Sequence, residues 1–145
     1  MELKDKIIVV TGAASGIGRA MCLRFAEESA RHIACVDRDI VGAEETAKMM
    51  GGKAYQVDVA VKDQITDMID KVEADTGPID LFCSNAGISV AGGVDVADDD
   101  WQRIWEINVM SHVWAARHLV PLMSARGGGY LLNTASAAGL LNQIG

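Results

Sequence analysis

The stretch TGAASGIG, Thr11 to Gly18, stands between a short apolar run and a helical pattern. Its three glycines, Gly12, Gly16 and Gly18, suit a chain that must turn sharply after a strand and let a ligand approach its backbone closely. The first turn of the following helix would offer unpaired N–H groups and a positive dipole end to a phosphate. The glycines alone are also compatible with a turn that binds no ligand. The surrounding sequence therefore has to distinguish a phosphate-binding loop from such a turn.

The rest of the chain alternates two kinds of segment. Five short runs are almost continuously apolar, as in strands buried on both faces, at 6–12, 31–37, 53–59, 79–87 and 129–136. Helical stretches lie between them at 16–30, 41–50, 61–76 and 98–125, and the third carries an apolar stripe of Ile65, Met68, Ile69 and Val72. This alternation predicts an α/β fold, a Rossmann-type doubly wound parallel sheet. We expect one domain over residues 1–145, incomplete at the C-terminal edge of its sheet.

The composition excludes several classes of function. Twenty acidic against thirteen basic side chains give a net charge of −7, which repels nucleic acid. The three cysteines, Cys22, Cys35 and Cys83, are odd in number and lack metal-binding spacing, which favours a reduced, cytoplasmic setting. The apolar run 7–10 is too short for a signal peptide or a membrane span, so we expect a soluble protein without a membrane partner.

Asp37 ends the second apolar run, about 20 residues after the glycine motif. An acidic residue at that spacing hydrogen-bonds the ribose hydroxyls of NAD and repels the extra phosphate of NADP. The alternative for Asp37 is a helix cap or a solvated turn, and Arg38 next to it would suit NADP. With Asp37 present, and Ser15 rather than a basic residue before Gly16, NAD is favoured over NADP.

The motifs TGAASGIG, SNAG (84–87) and NTASAAG (133–139) together resemble the short-chain dehydrogenase/reductase family. The resemblance covers essentially the whole chain, and Ser84 stands where the family more often has Asn. It implies a diphosphate turn, a ribose selector, an adenine-holding pair and a segment that passes beneath the cofactor. The corresponding cofactor-binding residues are Gly12, Ser15, Gly16, Ile17, Gly18, Asp37, Asp58, Val59, Asn85, Ala86 and Gly87.

The same resemblance implies two catalytic residues. Asn108 matches the Asn that bends its helix and helps to hold a water in the family's proton relay, whereas an ordinary mid-helix Asn faces solvent. Ser136 matches the hydroxyl that binds the reacting oxygen of the substrate. The family's Tyr and Lys acid/base pair would fall beyond Gly145, and neither Tyr55 nor Tyr130 can replace it. We therefore expect an N-terminal, truncated portion that is inactive alone and prone to aggregation.

The expected parent reaction is hydride transfer between a nicotinamide and a small alcohol or carbonyl substrate. The apolar start of the segment 88–100 favours a hydrophobic substrate, and we expect a homo-oligomer of the full-length form. A non-catalytic NAD-binding module or sensor is the alternative, although it would have little use for Asn108 and Ser136. A methyltransferase-like nucleotide fold fits poorly with the three-residue gap between Gly12 and Gly16.

Several other features receive structural interpretations. The carboxylates Asp95, Asp98, Asp99 and Asp100 favour the start of a helix rather than a metal site. The histidines His32, His112 and His118 lack ligand spacing, so no metal is expected. The tryptophans Trp101, Trp105 and Trp114 fit packing within the domain slightly better than a subunit contact, and Pro121 is expected to kink or end its helix.

Overall fold

The computed structural model describes residues 1–137, in which strands and helices alternate along the chain. The strands are β1 (Ile7–Thr11), β2 (His32–Asp37), β3 (Lys53–Gln56), β4 (Leu81–Ser84) and β5 (Tyr130–Asn133). The α-helices are α1 (Gly16–Glu27), α2 (Ile40–Met50), α3 (Lys62–Thr76), α4 (Asp98–Trp105) and α5 (Ser111–Ala125), with a π-helical turn over Glu106–Met110. The strands form one sheet in the order β3-β2-β1-β4-β5, and each neighbouring pair is parallel. The predicted fold class is confirmed.

The register of the sheet brings the carboxyl ends of its central strands to one edge. Thr11 at the end of β1 pairs with Val36 near the end of β2, and Ser84 at the end of β4 pairs with Asn133 at the end of β5. From β1 the chain builds outward through β2 and β3 on one side, and through β4 and β5 on the other. A crevice is expected between β1 and β4, where the order in which successive strands are added to the sheet reverses.

Apolar side chains cover both faces of the sheet. One cluster joins Val9, Phe82 and Leu131 to the stripe of α3, and the whole predicted stripe Ile65, Met68, Ile69 and Val72 is buried. The other cluster joins Ile8 and Val10 to α1 and α2. It contains Cys22, Cys35 and Cys83, which are free thiols that pack as small apolar groups. Burial raises the pKa of the Cys83 thiol to about 12.

The helix expected over 98–125 is present and runs without a break from Asp98 to Ala125, although it is not α-helical throughout. It widens into the π-helical turn between α4 and α5, and Pro121 lies inside α5 without ending it. At the start of α4 the N-cap is Ala97, whose methyl group cannot cap the helix. Carboxylates lie in the first turn, where they stabilise the helix by interacting with the positive end of its dipole and not by capping it: Asp98, Asp99 and Asp100.

The three tryptophans of this region have different environments. Trp114 packs against the larger core cluster, in agreement with packing inside the domain. Trp101 and Trp105 are more than half exposed, so packing within the described residues does not account for them. Within residues 1–137, no helix combines the length and the apolar character that crossing a membrane requires.

The strand β5 forms one edge of the sheet in the described part of the chain. It is shorter than the predicted segment 129–136, whose remaining residues lie outside the ladder. Leu131 packs against the core, but Tyr130 and Leu132 on the other face are exposed. An exposed apolar edge strand is a template for pairing with another chain.

Replacing Leu132 by Lys is therefore expected to reduce self-association of the 145-residue chain. The Leu132 residue is 46% exposed, so the substitution should change the free energy of unfolding by less than about 0.5 kcal/mol while it places a charge on the edge. Light scattering over time at 25 °C measures the effect. Val94→Lys is the control, because Val94 is 99% exposed but lies in the loop that follows β4. Equal reductions by both variants would contradict a role for the edge.

Candidate functional site

A cavity of about 350 Å³ opens at the carboxyl ends of β1, β2 and β4. All eleven residues predicted to bind a cofactor line it, although they come from four separate stretches of the sequence. Five further residues complete the lining of this first cavity: Arg38, Val57, Ile88, Ile107 and Thr134. The cavity lies where the order of the strands reverses, as open α/β sheets place their ligand sites.

The three glycines of the TGAASGIG loop have different roles. Gly12 has a φ of +71°, and a Cβ there would lie 2.9 Å from the Cα of Ala86. A Cβ on Gly18 would lie 2.0 Å from the carbonyl oxygen of Gly12, so this glycine permits the close contact between loop and helix. Gly16 has a φ of +53°, and apart from its chain neighbours no atom of residues 1–137 lies within 4 Å of its Cβ position. Gly12 and Gly18 therefore shape the loop, whereas Gly16 leaves space open to a ligand.

The N-terminus of α1 faces the first cavity without a side-chain cap. Ser15 is the N-cap residue, and its hydroxyl does not bind the first-turn amides. The first N–H groups of a helix have no partner within the helix, and here the residues that carry them, Gly16, Ile17 and Gly18, line the cavity. The arrangement offers donors and a positive dipole end to an anionic group.

Two side chains hold the glycine loop from behind. The Arg19 guanidinium donates to the carbonyl oxygen of Ala14, and its Nε donates to Thr46 Oγ1 over 2.9 Å. The Thr46 hydroxyl in turn donates to the carbonyl oxygen of Ala13 over 2.8 Å. Sequence reasoning missed both residues, and nothing in their local pattern indicates that α2 touches the loop.

The Thr11 hydroxyl joins the ends of β1 and β4. Its Oγ1 lies 3.3 Å from the carbonyl oxygen of Cys83, to which it donates. The same oxygen accepts from the backbone N–H groups of Asn85 and Ala86 over 2.9 and 3.0 Å. Thr11 is buried, so these bonds are shielded from water. Thr11 opens the TGAASGIG motif, but the motif alone does not indicate this role.

The acidic residues Asp37 and Asp58 lie at the ends of neighbouring strands. Asp37 Oδ2 accepts from the N–H of Ala14 and Oδ1 accepts from the N–H of Asp39, both over 3.0 Å. Asp58 Oδ1 accepts from the N–H of Ala60 over 2.9 Å. Backbone N–H groups therefore fix both carboxylates at the cavity. The bond from Ala14 also joins Asp37 directly to the glycine loop.

A second cavity of about 850 Å³ adjoins the first. Both cavities are lined by Ile17, Asn85, Ala86, Gly87, Ile88 and Thr134. The second cavity alone includes both predicted catalytic residues, Asn108 and Ser136, together with Ser89, His112, Asn133, Ala135 and Ala137. The structure therefore brings the predicted cofactor and catalytic residues to adjoining spaces. Residues 138–145, including the end of the NTASAAG motif, lie outside the described residues.

Asn108 lies in the π-helical turn and binds backbone rather than solvent. Its Oδ1 accepts from the N–H of Ile88 over 2.9 Å, and its Nδ2 donates to the carbonyl oxygen of Ile88 over 2.8 Å. This pair of bonds fixes the segment that follows β4 against the helix. The π-helical geometry is itself frequent at functional sites.

His112 lies four residues after Asn108 and lines the second cavity, which its spacing in the sequence does not indicate. Burial lowers the pKa of its imidazole and so favours the neutral ring. Among residues 1–137, no group of three or more His, Cys, Asp or Glu side chains has the arrangement of a metal site.

Comparisons with known proteins agree with this geometry. The family model described as short chain dehydrogenase matches residues 6–145. An uncharacterized oxidoreductase of Bacillus subtilis, YvrD, is 36% identical over 97% of this chain and 54% of its own length. The 3-oxoacyl-acyl-carrier-protein reductase FabG of Thermotoga maritima is 33% identical, over 100% of this chain and 61% of its own.

Comparison with solved structures also finds a short-chain dehydrogenase. The crystal structure of a short-chain type dehydrogenase/reductase from Mycobacterium marinum superposes with a TM-score of 0.89 at 33% identity. The match covers 99% of this chain and 61% of that one. The chain thus spans little more than half the length of the relatives that it matches.

The geometry predicts that Gly18→Ala destabilises the fold far more than Gly16→Ala. The added methyl at position 18 overlaps a backbone oxygen, which should lower the free energy of unfolding by about 3 kcal/mol or more. At position 16 the methyl meets open space, and only the left-handed backbone costs about 1 kcal/mol. Urea denaturation followed by circular dichroism compares the two. Similar losses would show that the close contact at Gly18 does not constrain the loop.

Proposed function

The chain belongs to the short-chain dehydrogenase family, and we propose that it forms the dinucleotide-binding part of an NAD-dependent oxidoreductase. Members of this family bind NAD or NADP, act on small molecules and are typically oligomeric. The proposed reaction is hydride transfer between the nicotinamide and an alcohol or carbonyl group of a small substrate. The observation that carries this proposal is the uncapped N-terminus of α1, which opens with Gly16 into a cavity that Asp37 also lines.

The residues of the first cavity fit a dinucleotide. A diphosphate suits the free amides of Gly16, Ile17 and Gly18, because these donors and the helix dipole compensate its charge. Close approach requires a loop without side-chain bulk, and the Cβ position of Gly16 meets no atom within 4 Å. The bound cofactor would supply the carbon that gives or takes the hydride, and the protein would orient it.

The carboxylate of Asp37 supports NAD rather than NADP. Each of its oxygens accepts one backbone N–H bond and retains capacity for a second, so ribose hydroxyls can donate to it. A ribose phosphate at the same place would meet a fixed negative charge. Arg38 also lines the cavity, and it favours NADP as the alternative.

The second cavity supports a reaction on a small molecule. Ser136 can donate a hydrogen bond to an oxygen that gains negative charge during the reaction. Asn108 fixes Ile88, which lines both cavities, and thereby the wall between cofactor and substrate. Apolar residues in the lining, such as Ile17 and Ile88, favour a substrate with apolar parts. A pure binding module would need neither Ser136 nor Asn108 beside the cofactor.

We further propose that the 145-residue chain binds the cofactor but turns substrate over very slowly. Its two tyrosines are Tyr55, in β3 at the opposite edge of the described sheet from β5, and Tyr130, at the amino end of β5. The second cavity, with Ser136, opens at the carboxyl end of β5. Neither phenol can reach a substrate beside Ser136. A proton donor with a suitable pKa is needed for efficient carbonyl reduction.

Titration of the 145-residue chain with NADH, followed by the fluorescence of the nicotinamide, tests the proposed binding. We expect saturable binding, and a loss of affinity of about tenfold or more in Gly16→Ala, because a methyl there occupies the space needed for close approach. Gly51→Ala is a matched control, since Gly51 has a φ of +74°, no atom within 4 Å of its Cβ position, and a place outside the cavity lining. Equal affinities for all three chains would refute the proposed site.

The specificity for NAD depends on the charge of Asp37. Asp37→Asn is expected to raise the affinity for NADPH relative to NADH by about tenfold, because the repulsion of the ribose phosphate is removed. Paired titrations with the two cofactors measure this ratio. Asp39→Asn removes the same charge two residues away and keeps a capping oxygen for the N–H of Gly42. An unchanged ratio in Asp37→Asn, or an equal change in Asp39→Asn, would contradict the assignment.

A further inference from the structure

A chain of hydrogen bonds runs from the end of β5 to the glycine loop through the side chain of Asn85. The Asn85 Nδ2 donates to the carbonyl oxygen of Thr11 over 3.1 Å, at the residue that enters the loop. The Asn85 Oδ1 accepts from the hydroxyl of Thr134 over 3.0 Å. One carboxamide therefore links β5 to the turn that follows β1.

The Asn85 amide lies directly beneath the glycine loop. A Cβ on Gly12 would be 3.2 Å from Asn85 Nδ2, and a Cβ on Gly18 would be 2.9 Å from it. A side chain at either position would therefore crowd this amide. A rotation of the carboxamide would remove the donor from Thr11 and change the surface on which the loop rests.

Thr134 holds the other end of that carboxamide and borders both cavities. Its own N–H donates to the carbonyl oxygen of Ser84 over 3.0 Å, so the backbone at Thr134 continues the β4–β5 pairing. Ser136 follows two residues later on the same segment. The hydroxyl of Thr134 thus stands between the predicted cofactor loop and the predicted catalytic serine.

We propose that Thr134 is a positioning residue, which holds the Asn85 carboxamide beneath the glycine loop and so prepares the loop for the dinucleotide. The inference rests on the proposed function, because the bound group is the dinucleotide. The Thr134 hydroxyl binds the carboxamide oxygen of Asn85, and the carbonyl oxygen of Thr11 binds its nitrogen. Together they fix one of the two orientations that an Asn side chain can adopt.

The hydrogen bond from Thr134 to Asn85 should stabilise the chain with bound dinucleotide more than the free chain. Thr134 is exposed in the free protein, where water can replace a lost hydroxyl partner at Asn85 Oδ1. A dinucleotide in the first cavity would cover this bond, and a hydrogen bond shielded from water is stronger. Removing the hydroxyl should therefore weaken binding while it leaves the stability of the free chain almost unchanged.

Thr134→Val tests the proposal in the 145-residue chain, since valine keeps the shape and removes the hydroxyl. We expect its affinity for NADH to fall about fivefold, and the affinity of Thr134→Ser, which retains a hydroxyl, to remain within about twofold of the original. The thermal midpoint of the free chain should not change measurably in either variant. Thr66→Val is the matched control, because among residues 1–137 the Thr66 hydroxyl bonds within its own helix, to the carbonyl oxygen of Asp63, and lies outside both cavities.

The possible results separate the inference from the proposed function. Weaker binding by Thr134→Val alone, with an unchanged thermal midpoint, supports the positioning role. If the original chain binds NADH and Thr134→Val binds it equally well, the inference is wrong and the proposed function stands. If Thr134→Val loses thermal stability in proportion to affinity, the residue is structural and the inference is also wrong. If the original chain binds neither NADH nor NADPH, the proposed function fails and the inference fails with it.

Discussion

The buried hydroxyl of Thr11 is the interaction on which the candidate site depends. Two parallel strands have no ladder partner beyond their last paired residues, so their ends separate unless something else joins them. Thr11 satisfies the N–H groups of Asn85 and Ala86 and the carbonyl oxygen of Cys83 at that point. Because unpaired buried polar groups cost roughly 1–3 kcal/mol each, this one hydroxyl keeps the end of β4 against the glycine loop.

The close contact of Gly18 with Gly12 follows from that junction. With β4 held against β1, Ala86 leaves no room for a side chain at Gly12, and α1 must start almost in contact with the loop. The helix N-terminus is thereby directed into the cavity instead of being capped by a local side chain. Hydrogen bonds and close packing thus connect the sheet, the loop and the helix end, and Arg19 and Thr46 hold the loop from the outer side.

The sequence predicts the features that local patterns specify. Alternating apolar runs and amphipathic stripes predict the fold class, because each strand and helix must bury its own apolar residues. The glycine spacing and Asp37 predict where the cavity lies. The strand bounds are less accurate, since 57–59 and 85–87 extend beyond the ladder and serve as cavity lining instead. The roles of Thr11, Thr46 and Thr134 depend on contacts between distant parts of the chain, and no local pattern reveals these contacts. The π-helical turn likewise has no local signal, because it accompanies the bonds from Asn108 to the distant Ile88.

The net charge of −7 raises the question of how such a chain could attract an anionic dinucleotide. Charges beyond about 8 Å are largely screened at physiological ionic strength, so the local field of the cavity decides. Within the first cavity, the end of α1 presents partial positive charge, and Asp37 presents a full negative charge held by two backbone N–H groups. A ligand that is anionic at one part and hydroxylated at another can satisfy both, whereas a uniformly anionic ligand cannot. The local separation of positive and negative charge, rather than the net charge of the chain, therefore gives the cavity a preferred orientation for such a ligand.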